Sequence, residues 1–465
     1  MVSAQLLDRC TALLLILLTI MVATSEWGSD LFDPLIPGLT LLVLVVLFFR
    51  VRNARRVFVG VGVALVLLLA LTHPDVWWDT TVRALRSSAF IAAFFTALST
   101  LRNVAETSPA IRAGGIFLAA QPPGRRYAAL TAGGHLFALL LNYGAISLLG
   151  SLASTSAATE PDPVIRSHRT RRMLLAIQRG FVASLPWSPL AFAMAITTAL
   201  IPDARWSDAV LPGLGASVIL MATGWALDTI FKPRLSAPVV RKPQEGSWAL
   251  MLPLLFLLAL MGITVFTLHE ATGIRIVGIV MVEVPLISTI WALIQWRGGA
   301  PGAEPGPRIR RYLTHDLPGY KGELTLLMMA GFIGTVGAPV LAPVIAAAGL
   351  DLGALPAGVI LVALVWLIPL LGQLGMNPIL AVTLLAPSIP TADALGVPPA
   401  AIVTAIVSGW AISGASSPFT ATTLLIGSFG GVSAAHVGVR WNAGYVAAVL
   451  LLLSAWVLFF AYVLA

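Results

Sequence analysis

The sequence predicts an all-α polytopic membrane protein with about 11 transmembrane helices plus two re-entrant hairpins, and three observations carry that reading. The chain of 465 residues is 58% hydrophobic and only 10% charged, with a mean hydropathy of +0.93, a composition foreign to soluble globules. Its apolar runs repeatedly reach the roughly 20 residues that span a bilayer. Two runs are interrupted in the same way: residues 139–149 (LLLNYGAISLL) and 375–385 (GMNPILAVTLL) each set Asn beside Gly or Pro, residues that end or unwind a helix.

Each interrupted run is followed, at similar distance, by an apolar run broken at Ser-Pro: residues 184–191 (SLPWSPLA) and 413–420 (SGASSPFT). The chain reads as two copies of one plan. Inside a bilayer, backbone groups freed by a break are costly unless protein or a lined cavity satisfies them. Such breaks are expected where a ligand is bound.

Charge and cysteine content narrow the class. A net charge of +8 would suggest nucleic acid in a soluble protein, but here the basic residues cluster between apolar runs, as the positive-inside rule requires. No nucleic-acid partner is expected; the partners are the lipid bilayer and a small solute. Cys10 is the only cysteine, which excludes an intrachain disulfide, a multi-cysteine metal site and an iron-sulfur cluster. The first apolar run, residues 11–23, lacks a small-residue cleavage site and is expected to stay as a helix.

Lys and Arg orient the elements in order. Arg9 precedes the first span (about 10–25) and Glu26, Asp30 and Asp33 follow it, which puts the N-terminus in the cytoplasm. The second span (about 35–49) returns to the basic run RVRNARR at 50–56. The third (about 57–72) leads out to the aromatic pair Trp77-Trp78, and the fourth (about 80–100) comes back, with Arg83 and Arg86 snorkelling outward. From Tyr127 to Ser156 the chain is apolar between two basic flanks. Its arms, 128–141 and 145–156, would be roughly 20 and 18 Å long, short of the roughly 30 Å hydrocarbon core. A hairpin with Asn142-Tyr143-Gly144 at its tip fits both facts.

The fifth span (about 173–200) follows the basic loop RSHRTRR at 166–172 and carries the SLPWSP break; the sixth (about 209–230) returns to Lys232, Arg234, Arg241 and Lys242, with Asp228 placed to pair with Lys232. The seventh (about 248–268) and eighth (about 274–296) lead to a Gly- and Pro-rich basic stretch expected to end in an interfacial helix. Glu283 in the eighth is a structural partner or dimer contact. The ninth (about 323–347) crosses to Asp351, and residues 355–390 form the second hairpin, its tip at Met376-Asn377-Pro378. The tenth (about 399–430), broken at SGASSP, and the eleventh (about 441–463) complete the chain. The divisions are an N-terminal helix at 1–34, a first repeat at 35–232, a cytoplasmic linker at 233–247 and a second repeat at 248–465. The two repeats are expected to be antiparallel, the plan of secondary transporters with a midplane site.

A hairpin with an Asn-bearing tip followed by a helix broken at Ser-Pro, all duplicated, resembles the ion transporter superfamily, which includes divalent-anion/sodium symporters, arsenite efflux proteins and citrate carriers. Members of the divalent-anion group carry Ser-Asn-Thr at both tips. Here Leu141-Asn142-Tyr143 and Met376-Asn377-Pro378 stand instead, keeping the Asn and losing the flanking hydroxyls. The resemblance implies a homodimeric elevator-type carrier with scaffold and transport domains, in which spans four to six and nine to eleven move with both hairpins.

The site chemistry follows from the breaks. Half-helix N-termini attract anions, while unwound carbonyls and hydroxyls suit Na+, the candidate coupling ion. The substrate residues expected are Asn142, Tyr143, Gly144, Ser188, Asn377, Pro378, Ser416, Ser417 and Thr420, with Thr422 nearby; the coupling-ion residues are Asn142, Ser184, Ser188, Asn377, Ser413 and Ser417. Arg179 and His135 are the candidate charge partners, for an anion and a proton respectively. The function expected is secondary transport of a small anionic or neutral solute, coupled to Na+ or H+, across the inner membrane. The alternatives are a channel, a cation/proton antiporter and, from Ser416 and His436, an intramembrane hydrolase.

Overall fold

The computed structural model describes residues 2–122, 124–232, 246–300, 302–347 and 352–464. The helices run, in chain order, α1 (Val2–Glu26), α2 (Ile36–Arg50), α3 (Asn53–Thr72), α4 (Trp77–Glu106), α5 (Pro109–Ala119), α6 (Arg126–Leu141), α7 (Tyr143–Ala158), α8 (Pro163–Val182), α9 (Phe192–Leu200) and α10 (Trp206–Ile230). They continue with α11 (Leu252–Thr272), α12 (Ile276–Arg297), α13 (Pro305–Arg311), α14 (Leu317–Gly319), α15 (Lys321–Ala347), α16 (Ala357–Gln373), α17 (Pro378–Leu385), α18 (Ala392–Leu395), α19 (Pro399–Ser416), α20 (Ala421–Gly430) and α21 (Ala443–Phe459). No strand occurs among the described residues. Nine of these segments, again among the described residues, are long and apolar enough to cross a bilayer. That is fewer than the 11 expected, because α2 is short and the fifth span is divided between α8, whose first half is basic, and the nine-residue α9.

The order of elements recurs. A long helix, a hairpin, a helix that breaks and restarts, and a closing helix appear as α4, α6–α7, α8–α9 and α10, and again as α15, α16–α17, α19–α20 and α21. One predicted loop is helical. Asp162 caps α8 by accepting from the amides of Val164 and Ile165 at 2.7 and 3.1 Å, with Pro163 pre-set for the first turn. The basic run 166–172 is therefore the first half of α8, and its charges find partners at once. Arg166 donates to the carbonyls of Glu160 and Pro161, and Arg172 grips Asp228 with two bonds of 2.8 and 2.6 Å. Asp228 thus pairs with Arg172 in place of Lys232. The basic stretch after α12 does end in short helices, α13 and α14. The predicted linker residues 233–245 and Asp351 lie outside the described residues.

The chain divides into two compact units, and each repeat contributes to both. Unit 1 holds residues 1–107, 261–354 and 379–390; unit 2 holds 108–260, 355–378 and 391–465. The fourth and ninth spans, expected to move with both hairpins, therefore fall with the N-terminal helices in unit 1, and so does the second arm of the second hairpin from residue 379, whereas both hairpin tips fall in unit 2. In unit 1, α4 packs on α15, where the Ser88 hydroxyl donates to Met328 O at 2.9 Å. Glu283 is buried there and accepts from the Thr264 hydroxyl. In unit 2, α6 packs on α8 and α16 on α19, every residue of α19 from Ala400 to Ser416 being buried.

The α6–α8 contact depends on small residues, as helix packing between apolar spans generally does. A Cβ added to Gly180 would lie 2.1 Å from Thr131 O, and one added to Gly134 would lie 2.7 Å from Ile177 O. Gly180→Ala is therefore expected to force the two helices apart and destabilise the protein by about 1–3 kcal/mol. Gly262→Ala, where a Cβ would meet nothing within 4 Å, is expected to be neutral; thermal unfolding of the purified variants measures the difference.

Candidate functional site

Both tips and both Ser-Pro breaks belong to unit 2. At the first tip a single residue separates two helices. Asn142 adopts φ 49 and ψ −130, one of two positive-φ residues other than glycine among those described. Such a backbone costs of the order of 1–3 kcal/mol, and Asn is among the side chains that bear it best. The turn is closed on both sides, Asn142 N donating to Ala138 O and Asn142 O accepting from Ala145 N. Tyr143 then stacks on Phe181 of α8 with ring centroids 5.2 Å apart, tying the tip to the helix that breaks.

The second tip uses glycine. Gly375 has φ +91, its amide bonds Gly372 O at 3.2 Å, and Met376 N reaches back to Leu371 O at 3.1 Å. These are the two bonds of a Schellman cap. Asn377 and Pro378 follow at the start of α17.

The two breaks share one local turn. After α8, the Ser188 hydroxyl accepts from Leu190 N at 3.2 Å across Pro189; after α19, the Ser417 hydroxyl accepts from Phe419 N at 3.2 Å across Pro418. Ser417 also donates to Gly372 O at 2.6 Å, joining the second break to the second tip. Close contact requires Gly at 372, since a Cβ there would sit 2.4 Å from the Ser413 hydroxyl. Ser413 is fully buried, and its hydroxyl finds no partner among the described residues. In the first break Ser184 spends its hydroxyl on Phe181 O at 2.7 Å.

The carbonyls freed at the end of α19 are largely satisfied by side chains. Asn442 Nδ2 donates to Ala415 O at 3.1 Å, and Gln178 Nε2 reaches Gly414 O and Ala415 O at 3.5 Å. The Thr422 hydroxyl donates to Gly414 O, and Thr420 and Thr423 both donate to Ser417 O. Asn442 and Gln178 also bond each other at 2.9 Å. The breaks are thus contiguous: a Cβ on Gly414 would touch Val182 at 3.1 Å, the last residue of α8.

Arg179 is 5% exposed and sits in a neutral nest. Its Nε donates to Asn442 Oδ1 at 3.2 Å, its Nη1 to Tyr127 OH at 3.0 Å and Gly224 O at 3.4 Å, and its guanidinium lies 4.3 Å from the centre of the Tyr445 ring. No carboxylate of the described residues pairs with it. His135 of α6 meets the first break at Trp187. Its Nε2 accepts from Trp187 Nε1 at 3.3 Å, the rings stacking at 5.7 Å, and Nδ1 is buried without a partner. The Ser416 hydroxyl donates to Ile412 O, whereas the His436 ring meets the edge of Trp441, so no Ser-His bond is formed between them.

Sequence reasoning located the tips and breaks and missed what holds them. Gln178, Asn442, Tyr127 and Tyr445 were passed over. A buried Gln next to Arg in α8, and an Asn just past the basic residue that ends α20's connection, were the signals present.

No protein-family model matches the sequence, and no curated protein is recovered as a relative. The fold does match solved structures. The Alcanivorax borkumensis YdaH transporter, described as having an unusual topology, is 18% identical with a TM-score of 0.60, covering 88% of this chain and 98% of that one. Neisseria gonorrhoeae MtrF, described as illuminating a class of antimetabolite efflux pumps, is 15% identical with a TM-score of 0.58, covering 89% and 96%. These likenesses establish a shared fold with membrane transporters and do not extend to the superfamily named from the motifs.

The Asn442 network carries the next test. Asn442→Ala leaves Ala415 O, Gln178 and Arg179 each short of a buried partner and is expected to cost about 2–5 kcal/mol, within the range for uncompensated buried polar and charged groups. Asn142→Gly relieves the positive φ and is expected to hold or raise the melting temperature, while Asn142→Val lowers it; thermal unfolding again reads both.

Proposed function

We propose that this chain is a secondary active transporter moving a small anionic or neutral solute across the cell inner membrane, N-terminus in the cytoplasm, as a homodimer. One observation carries the reading: four helix interruptions, paired by an internal repeat, are contiguous in a single compact unit of a fold shared with two solved transporters. The solute lies between the tips, against Asn142, Tyr143, Gly144, Asn377 and Pro378, with Ser188, Ser416, Ser417 and Thr420 behind them. Unit 2 is the moving body of an elevator cycle, and the two repeats are inverted, as in the ion transporter superfamily.

Na+ ranks ahead of H+ as the coupling ion. The groups at the breaks are hydroxyl and carbonyl oxygens, with the Ser413 hydroxyl still unbonded, and hard cations take oxygen ligands. Among the described residues no three His, Cys, Asp or Glu cluster. His135 is a poor proton carrier as placed, because protonating Nε2 would set it against the Trp187 N–H. Arg179 contributes a positive field behind the breaks, which favours an anion over a cation as solute. Export is the first direction to test, because MtrF is described as an efflux pump.

The experiment begins with a thermal-shift screen of small anions with and without Na+, in which a ligand at 100 times its Kd stabilises by about 2.7 kcal/mol. The hit is then followed in proteoliposomes. Asn142→Ala and Asn377→Ala are each expected to lower saturable countertransport by about tenfold or more in protein that remains folded. Undiminished transport in both variants overturns the site, and flux without saturation or exchange makes the protein a channel.

A further inference from the structure

Unit 1 contains a slot of about 580 Å³, a volume within the usual range for ligand pockets. One wall is a stripe of α1: Ile16, Thr19, Ile20, Ala23, Thr24 and Trp27 recur at helical spacing. That stripe is roughly 16 Å long at about 1.5 Å per residue. The other walls are α4 at 96–100 and α12 at 281–285, with Tyr312 at one end. The hydroxyls in the lining are mostly turned to protein: Thr19 donates to Leu15 O at 2.7 Å, Thr24 to Ile20 O at 2.6 Å, Thr100 to Ala97 O at 2.7 Å, and Tyr312 OH meets the Ser99 hydroxyl at 2.7 Å. Only the Thr96 hydroxyl, among these, is left without a partner. The slot is in effect hydrocarbon.

It opens sideways on a face that is itself apolar. Ile20 is 54% exposed and Val282 41%, and Leu13 and Leu17 continue the exposed surface along α1. At the Trp27 end, α1 is pinned to α12 by the Trp27 indole N–H, which donates to Gly278 O at 3.0 Å. There the polar groups begin. Arg275 and Glu26 pair at 3.1 Å beside the mouth, with the Arg side chain 55% exposed.

A narrow apolar slot parallel to a membrane-spanning helix, ending at an aromatic residue and an ion pair whose Arg275 is exposed and whose Glu26 is 18% exposed, has the chemistry of a zwitterionic phospholipid. We propose that it holds one acyl chain of phosphatidylethanolamine, with the phosphate on Arg275 and the ammonium on Glu26. Two adjacent charges of opposite sign complement a headgroup of the same kind in reverse order. A choline headgroup offers no N–H to Glu26, and a glycerol headgroup offers no cation.

The test is native mass spectrometry of the full chain purified from nanodiscs containing phosphatidylethanolamine, phosphatidylcholine and phosphatidylglycerol in equal amounts. The wild type is expected to retain phosphatidylethanolamine about tenfold over either of the others, and Arg275→Gln to lower that retention by about tenfold, the loss of one charge-assisted bond. Ala23→Phe fills the slot and is expected to abolish retention, whereas Thr96→Val, which only removes the orphan hydroxyl, leaves it unchanged. Equal retention of the three lipids, or retention unaltered in both Arg275→Gln and Ala23→Phe, overturns the proposal. So does an Ala23→Phe protein that loses its dimer while keeping its lipid, because the slot would then belong to a second copy.

Discussion

Backbone satisfaction at the helix interruptions is the constraint on which this structure depends. An apolar span is cheap while it is continuous, because each amide and carbonyl is bonded within the helix; breaking it frees groups that lipid cannot solvate. Unit 2 contains such breaks and answers them with side chains drawn from several helices. Gln178 from α8 and Asn442 from the start of α21 converge on the carbonyls at the end of α19, while Thr420, Thr422 and Thr423 bond back from the restarting segment. Arg179 then holds Asn442 in place through its Nε. The polar network in the unit is a response to the interruptions, and it couples the break after α8 to the break after α19.

This explains why the polar residues at the breaks lie where they do. A residue such as Ser417 bonds its own turn and the last turn of α16, just before the second tip, at once. Arg179 is placed differently from a ligand-facing guanidinium: three of its contacts are to neutral acceptors and the fourth is an aromatic face. Its charge acts at a distance, through a low-dielectric interior that screens it poorly.

Much of the plan was legible in the sequence because apolar length and interruption are local properties. Asn142, Asn377-Pro378 and the Ser-Pro pairs announce their breaks by residue type alone, and the structure places a helix end at or beside each of them. The helical course of 166–172 was not legible. A run of Arg and His reads as a loop until Asp162 is recognised as a cap and Asp228 as the partner of Arg172, the latter a contact between residues distant in the chain. The same limit hid Asn442. A single Asn between apolar segments has no periodicity, and its importance arises only when α8 and α19 are brought against it. The division into units was also invisible, since each repeat is shared between them.

The matching turns at Ser188 and Ser417 have a consequence for how such a molecule can diverge. Each is closed by a hydroxyl and an amide two positions along the same strand of chain, with proline between them, so this one turn is made locally even though its neighbours satisfy the other freed groups. Leu190 and Phe419 differ, as do Trp187 and Ser416 on the preceding side, and the geometry persists. The surroundings of the two breaks can therefore differ, and serve separate tasks, while the same local turn closes both.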